Sequence, residues 1–221
     1  MPVRPIIASS LLIAGMVALG AQESLPSADA VIAELKAGNA HHVAKKYDRP
    51  NQTAARQQEL ASGQSPHCAI LTCADSRVPP EIIFDKGLGD IFDIRVAGNV
   101  AGDDEMASVE YAAEHLHVPL VVVMGHTHCG AITAALEGGP LPGKLPNLIA
   151  AMRPAVEQSA HEPGDRVDNA VRDNVVYVVQ QLRAAKPVLS ELVATGKLRI
   201  VGAVYSLDTG KVDWLPTAAS K

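Results

Sequence analysis

Two short stretches hold the residue types that do chemistry: Cys73-Ala74-Asp75-Ser76-Arg77 and Gly125-His126-Thr127-His128-Cys129-Gly130. Cysteine thiolate and neutral histidine are preferred ligands of zinc. His126 and Cys129 stand three apart, a spacing that lets both reach one ion from the turn that opens a helix. Cys73 can close the third corner from a neighbouring strand exit. No further cysteine lies near enough to complete a four-ligand cage, and the next candidates for a fourth donor are His128 and Asp75. Three protein ligands and one open position are the pattern of catalytic rather than structural zinc.

Asp75 follows Cys73 by two residues, close enough to accept a hydrogen bond from a metal-held water, and Arg77 follows Asp75 by two more. A guanidinium can hold a carboxylate in a two-pronged fork and lower its proton affinity. In isolation Asp-x-Arg is a surface pair of little consequence. Beside a ligand cysteine it reads as a functional pair.

These residues need elements that aim them. His67–Thr72 and Asp90–Val96 read as strands, and Pro119–Met124 is a continuous apolar run typical of a parallel strand buried on both faces. Both motifs fall just past the carboxyl ends of such runs, where open α/β sheets place their sites. Helical periodicity covers Ser27–Lys46, with a break expected at Gly38-Asn39, and then Gln52–Ala61, Asp103–His115 and the residues after Gly130. Further helices fit Leu145–Ser159, Arg166–Ala185 and Pro187–Ala194. Leu198–Tyr205 and Lys211–Leu215 read as strands joined in a hairpin at Asp208-Thr209-Gly210. Strands alternating with helices imply a mostly parallel sheet flanked by helices.

The chain has 221 residues, 48% hydrophobic and 19% charged, which suits one globular α/β domain. A net charge of −5 without any Lys/Arg cluster excludes the electrostatic footprint of a nucleic-acid binder. Residues 1–21 have the pattern of a secretory signal peptide: Arg4, then an uncharged apolar run from Ile6 to Leu19, then small residues at Gly20 and Ala21. The expectation is a single domain over residues 22–221, periplasmic or secreted, without stable membrane insertion after cleavage. Cys68 and Cys73 are five apart on one strand and its exit, so they point to opposite faces and do not pair; Cys68 reads as a buried apolar residue.

Cys73-Ala-Asp-Ser-Arg77 followed by Gly125-His-Thr-His-Cys-Gly130 resembles the β-class carbonic anhydrases. The likeness takes in Gly63-Gln64-Ser65-Pro66, Gly89-Asp90, Arg95-Val96-Ala97-Gly98-Asn99, Ser108-Val109-Glu110-Tyr111, Asp173-Asn174-Val175, Gly202-Ala203-Val204-Tyr205 and Thr209-Gly210-Lys211-Val212. It implies a Rossmann-like, mostly parallel sheet flanked by helices, with an N-terminal helical arm packing on a partner subunit in a homodimer or homotetramer. It implies Zn2+ on Cys73, His126 and Cys129, with Asp75 and Arg77 as the catalytic pair that orients a zinc-held hydroxide toward carbon dioxide, yielding bicarbonate and a proton. Gln64, Phe92, Ala97, Tyr111 and Gly130 are implied to bind substrate, with Phe92 and Tyr111 reaching across a dimer interface. His128, beside two ligands, is a candidate proton shuttle because an ordinary imidazole titrates near neutrality.

Two other readings stand beside this one: a hydrolase of carbon disulfide or carbonyl sulfide on the same fold, and a zinc-binding protein without turnover. The intact Asp75, Arg77 and Gln64 weigh against the latter, since holding zinc needs none of them. Some relatives let the aspartate replace water on zinc, favoured by a bicarbonate pocket around an N-terminal tryptophan. The one tryptophan here is Trp214, near the other terminus, so the expected state keeps Asp75 off the metal.

Overall fold

A computed structural model describes residues 25–216, and the expected signal peptide lies outside the described residues. Among these residues no helix is long and apolar enough to cross a membrane. The apolar runs form a five-stranded sheet in the order β2-β1-β3-β4-β5. Its strands are β1 (Cys68–Thr72), β2 (Ile91–Arg95), β3 (Leu120–His126), β4 (Arg199–Tyr205) and β5 (Val212–Trp214). The first four are parallel. β5 returns antiparallel through the expected hairpin, with Ala203 opposite Trp214 and Tyr205 opposite Val212. Every residue of β1 and β3 is buried, as continuous apolar runs in a parallel sheet require.

Both faces are covered. On one side Ala69, Leu71, Val121 and Val123 pack against α4 (Asp103–Glu114), α7 (Arg166–Ala184) and α8 (Val188–Ala194) through Val109, Val175 and Leu189. On the other, Ile70, Val122 and Met124 pack against Val31 and Leu35 of α1 (Ala28–Ala44) and against Ile83 and Phe84. Cys68 belongs to this second cluster and Cys73 to the first, so they face opposite ways. Among the described residues the three cysteines form no disulfide. The helix α7 lies close on the sheet because Gly125 and Gly202 carry no side chain. A Cβ at either would come within 2.8 Å or less of a Val175 methyl.

Two features differ from the sequence-based expectation. α1 runs unbroken through Gly38-Asn39. Gly38 is there for close approach, since a Cβ would meet the Phe84 carbonyl oxygen at 1.8 Å. Asn39 is a buried staple: it donates to the carbonyls of Ile83 and Gly210 and accepts from the Val212 amide. Second, a four-residue helix, α3 (Pro80–Ile83), starts directly at the Pro79-Pro80 pair, whose fixed φ suits a first helical turn. Within the chain, α1 packs one face on the sheet through Val31 and Leu35. Of the expected arm, α2 (Ala54–Leu60) is the part that buries none of its residues.

The connection from β1 leads to β2 on one side, and β3 then enters on the other side of β1. That reversal opens a crevice at the carboxyl ends of β1 and β3, where ligands bind in open α/β sheets. Cys73 follows the end of β1, His126 is the last residue of β3, and Cys129 caps α5 (Gly130–Glu137).

Candidate metal centre

The β1 exit is shaped by backbone pairing that continues one step beyond the strands. The Val96 amide donates to the Thr72 carbonyl at 3.1 Å and the Ala74 amide to the Val96 carbonyl at 3.2 Å. Arg95, at the end of β2, donates from Nε to the Cys73 carbonyl and from Nη2 to the Asp75 carbonyl, at 3.2 and 2.6 Å. These two bonds fix the loop that carries both a sulfur ligand and the carboxylate.

His126 is wholly buried. Its Nδ1 lies 2.9 Å from the Thr127 carbonyl oxygen. A carbonyl only accepts, so Nδ1 carries the proton and Nε2 is left with a bare lone pair. Nε2 is buried and has no hydrogen-bond partner among the described residues. A buried nitrogen lone pair with nothing to bind is costly unless a ligand meets it. The loop after His126 is tied to the end of β4: the Thr127 amide donates to the Tyr205 carbonyl and the Leu207 amide to Thr127 Oγ1.

The two sulfurs and one histidine ring nitrogen lie within 4.8 Å of one another, and all three residues are buried. The Cys129 thiol lies beside the Cys73 sulfur. With the His126 ring and the Gly98 amide, it holds Cys73 far below the ordinary thiol range despite burial. The same contact and burial push the Cys129 thiol up. The Ala131 and Ile132 amides, at the first turn of α5, face the Cys129 sulfur and favour its ionised form. The donor set of two thiolates and a bare imidazole nitrogen, with the outer ring nitrogen anchored to a carbonyl, fits zinc.

Asp75 lies at the rim of this cluster, with Oδ2 3.9 Å from His126 Nε2. Arg77 grips it in a fork, Nε to Oδ1 at 2.9 Å and Nη2 to Oδ2 at 2.7 Å. The Arg77 amide adds a bond to Oδ1 at 2.9 Å. These contacts hold the Asp75 carboxyl well below the usual carboxylate range, so it is ionised throughout the neutral range.

The other expected site residues divide into two groups. Ala97 opens the 3-10 turn Ala97–Asn99, whose Gly98 amide reaches Cys73. Gly130 directly follows Cys129, and a Cβ there would meet nothing within 4 Å. Both border the triad. Gln64, Phe92 and Tyr111 do not. Gln64 precedes β1, whose five residues span about 17 Å, and Cys73 follows its far end. Gln64 lines a shallow depression with Leu60 and Leu88 instead. Phe92 sits near the start of β2, paired in register with Ala69, and its ring lies 5.9 Å from that of Tyr111. Tyr111 is 46% exposed. Within one chain Phe92 lies on the edge strand β2, Tyr111 on α4 and Gln64 ahead of β1, and none of them belongs to the ligand cluster.

His128 has φ +55°, and its ring turns outward to Asp208, Nε2 to Oδ2 at 3.1 Å. It lines a cavity of about 200 Å³ with Thr133, Asp165 and Asp168. A second group with metal-like spacing, His41, Asp48 and Asp85, has a structural explanation. The buried Asp85 carboxylate already accepts from the Asp48 and Arg49 amides and pairs with His41 Nδ1, clamping the turn between α1 and α2. Sequence reasoning assigned no role to Arg95. A lone arginine closing an apolar strand beside the motif was the available signal.

The family model described as carbonic anhydrase matches residues 68–212. Carbonic anhydrase 2 of Mycobacterium tuberculosis is 42% identical over 181 residues, covering 80% of this chain and 87% of that protein. A carbonic anhydrase of Mycolicibacterium smegmatis is 37% identical over 195 residues, covering 86% of this chain and 95% of that one. Among solved structures, a tetrameric β-carbonic anhydrase of the filamentous ascomycete Sordaria macrospora superposes with a TM-score of 0.68 at 26% identity. That match covers 86% of this chain and 98% of the other.

Proposed function

The chain belongs to the β-class carbonic anhydrases, and on that premise we propose that it hydrates carbon dioxide reversibly at a zinc ion held by Cys73, His126 and Cys129. The observation that carries the metal assignment is the bare, buried Nε2 of His126 facing two thiol sulfurs. Zinc bound there would lower the pKa of water to roughly 7 and so supply hydroxide at neutral pH.

The chain's own residues do the rest. Asp75, kept ionised by Arg77, accepts a hydrogen bond from the oxygen nucleophile and so turns a lone pair toward the carbon of the substrate. Arg77 occupies both carboxylate oxygens, which keeps Asp75 from turning inward to become a fourth ligand. Ala97 and Gly130 leave room beside the triad for a small linear molecule. A proton released on each turnover leaves by the outward-facing His128, whose ring is oriented by Asp208.

We assign Gln64, Phe92 and Tyr111 to the site of a second copy. Phe92 lies on the edge strand β2 with its ring against that of Tyr111 on α4, Gln64 precedes β1, and Ile82, Leu88 and Tyr111 are exposed apolar groups. A homodimer joined at that edge, alone or within a tetramer, would bring one copy's aromatic pair to the other's metal. The apolar, charge-free run from Ile6 to Leu19 supports export of the mature protein to the periplasm or beyond.

The deciding experiment is stopped-flow carbon dioxide hydration with zinc content measured on the same sample. Fast hydration at one zinc per subunit is expected. A sample holding one zinc per subunit and no hydration would refute the proposal. Cleavage before residue 22 in exported protein would support the location, and an intact N-terminus in the cytoplasmic fraction would refute it.

A further inference from the structure

Behind the metal ligands lies a buried polar seam that the reaction itself does not use. The 3-10 turn Ala97–Asn99 follows β2, and its middle residue, Gly98, has φ +74° and ψ +16°, a left-handed conformation that favours glycine. The Gly98 amide donates to Cys73 Sγ at 3.3 Å. The Gly98 carbonyl points the other way and accepts from Asn174 Nδ2 at 2.8 Å. Asn174 is wholly buried in α7, 76 positions along the chain from Gly98. Met152 closes the remaining side: a Cβ on Gly98 would come within 2.5 Å of its sulfur.

We propose that Asn174 is a positioning residue for the metal centre, holding the Gly98 peptide so that its N–H stays on the Cys73 sulfur. The inference rests on the reading of Cys73, His126 and Cys129 as metal ligands. Its physical basis is that glycine has the widest backbone freedom of any residue. The Gly98 amide and carbonyl belong to the two peptide groups flanking one Cα, and each is pinned at its far end. When Asn174 is removed, the carbonyl is buried without a donor. The cheapest relief is rotation of the turn, which draws the amide off the sulfur.

The consequence for the metal follows from charge. An N–H aimed at a thiolate withdraws electron density from it. Two thiolates donate more charge to zinc than imidazoles do, which works against acidifying a bound water. The Gly98 amide offsets part of that donation on one of the two sulfurs. Partners of metal ligands typically change metal affinity by about 10- to 100-fold when removed.

The test uses the full chain loaded with zinc, and in parallel with cobalt(II), whose sulfur-to-metal charge-transfer band reports directly on the thiolates. Asn174→Leu keeps the volume and removes the donor. Leu189→Ala, in the same core but on α8, which packs on α4 and α7, controls for lost stability. The expected result for Asn174→Leu is zinc release to a chelator faster by about 10-fold or more, because the Cys73 ligand is no longer held in place, with the cobalt band moved to longer wavelength, because the freed thiolate donates more strongly. Leu189→Ala should show the wild-type rate and spectrum at a comparable fall in Tm.

An Asn174→Leu protein with wild-type metal release and cobalt spectrum would overturn the proposal and leave Asn174 a packing residue. If Asn174→Leu does not fold, Asn174→Ala carries the same two readouts with the same expected directions. Wild-type protein that takes up neither metal would instead sink the metal reading itself.

Discussion

Asp75 and Arg77 are joined by two parallel side-chain bonds of 2.9 and 2.7 Å, while the same carboxylate stands 3.9 Å from the bare nitrogen of His126. The carboxylate thus borders the metal ligands without joining them. Asp75→Asn preserves shape but turns an acceptor-only group into one that also donates. It should lower carbon dioxide hydration by about 10²- to 10⁴-fold and leave zinc content at one per subunit. Arg77→Ala frees Asp75 to turn inward, so its loss of activity should come with a change in the cobalt(II) spectrum. An Asp75→Asn enzyme with wild-type kcat would remove Asp75 from the mechanism.

The triad predicts a metal dependence with a structural readout. Chelator treatment should abolish hydration, and added zinc should restore it. The loaded protein should also melt higher than the stripped one, because an ion bound only by the folded state stabilises it by mass action. Cys73→Ser, Cys129→Ser and His126→Ala should each fail to retain zinc on dialysis. Full zinc retention by any one of these would contradict the ligand assignment.

A mixed-dimer experiment tests the division of the site between two chains. Gln64→Ala should lower kcat/KM although Gln64 lies beyond the far end of β1 from its own Cys73. Mixed dimers of Gln64→Ala with Asp75→Asn then contain one site with both residues intact and one with neither. They should recover about half the wild-type activity. If each site were built within one chain, both sites of the mixed dimer would carry a lesion and no recovery would be seen.

The outward ring of His128, 3.1 Å from Asp208, predicts a buffer effect. His128→Ala should slow turnover at low buffer concentration, and imidazole-type buffers should restore it, with little change at high buffer. Turnover equal to wild type at every buffer concentration would remove His128 from proton transfer.

Asp85 predicts a pH dependence of stability. Its side chain is 2% exposed. Burial alone would raise its carboxyl, but the Asp48 and Arg49 amides and His41 outweigh that and set it below the ordinary value. A carboxyl depressed in the folded state contributes stability above its unfolded pKa of about 3.9 and loses it as pH falls through the folded value. Asp85→Asn should therefore cost about 1–3 kcal/mol near pH 7. The gap to wild type should close as the pH is taken below about 4. A gap independent of pH would show that the carboxylate charge plays no part.

Much of this was legible in the chain. The ligand types, their spacing and their place at strand exits are local properties, and uninterrupted apolar runs identify buried parallel strands. Gly38-Asn39 shows where local signals mislead: both are turn residues by habit, yet one admits the Phe84 carbonyl and the other ties three distant backbone groups together. Tertiary structure alone decided which nitrogen of His126 is bare, because that depends on the Thr127 carbonyl. It alone placed Arg95 on the carbonyls of Cys73 and Asp75, and Asn174 on Gly98. It also separated Gln64, Phe92 and Tyr111 from the ligands. The sequence by itself determined which residues could hold a metal and aim an oxygen, because ligand chemistry belongs to the side chain. Which backbone groups steady those residues, and which chain completes the site, depended on how distant segments pack, and no local pattern encodes that.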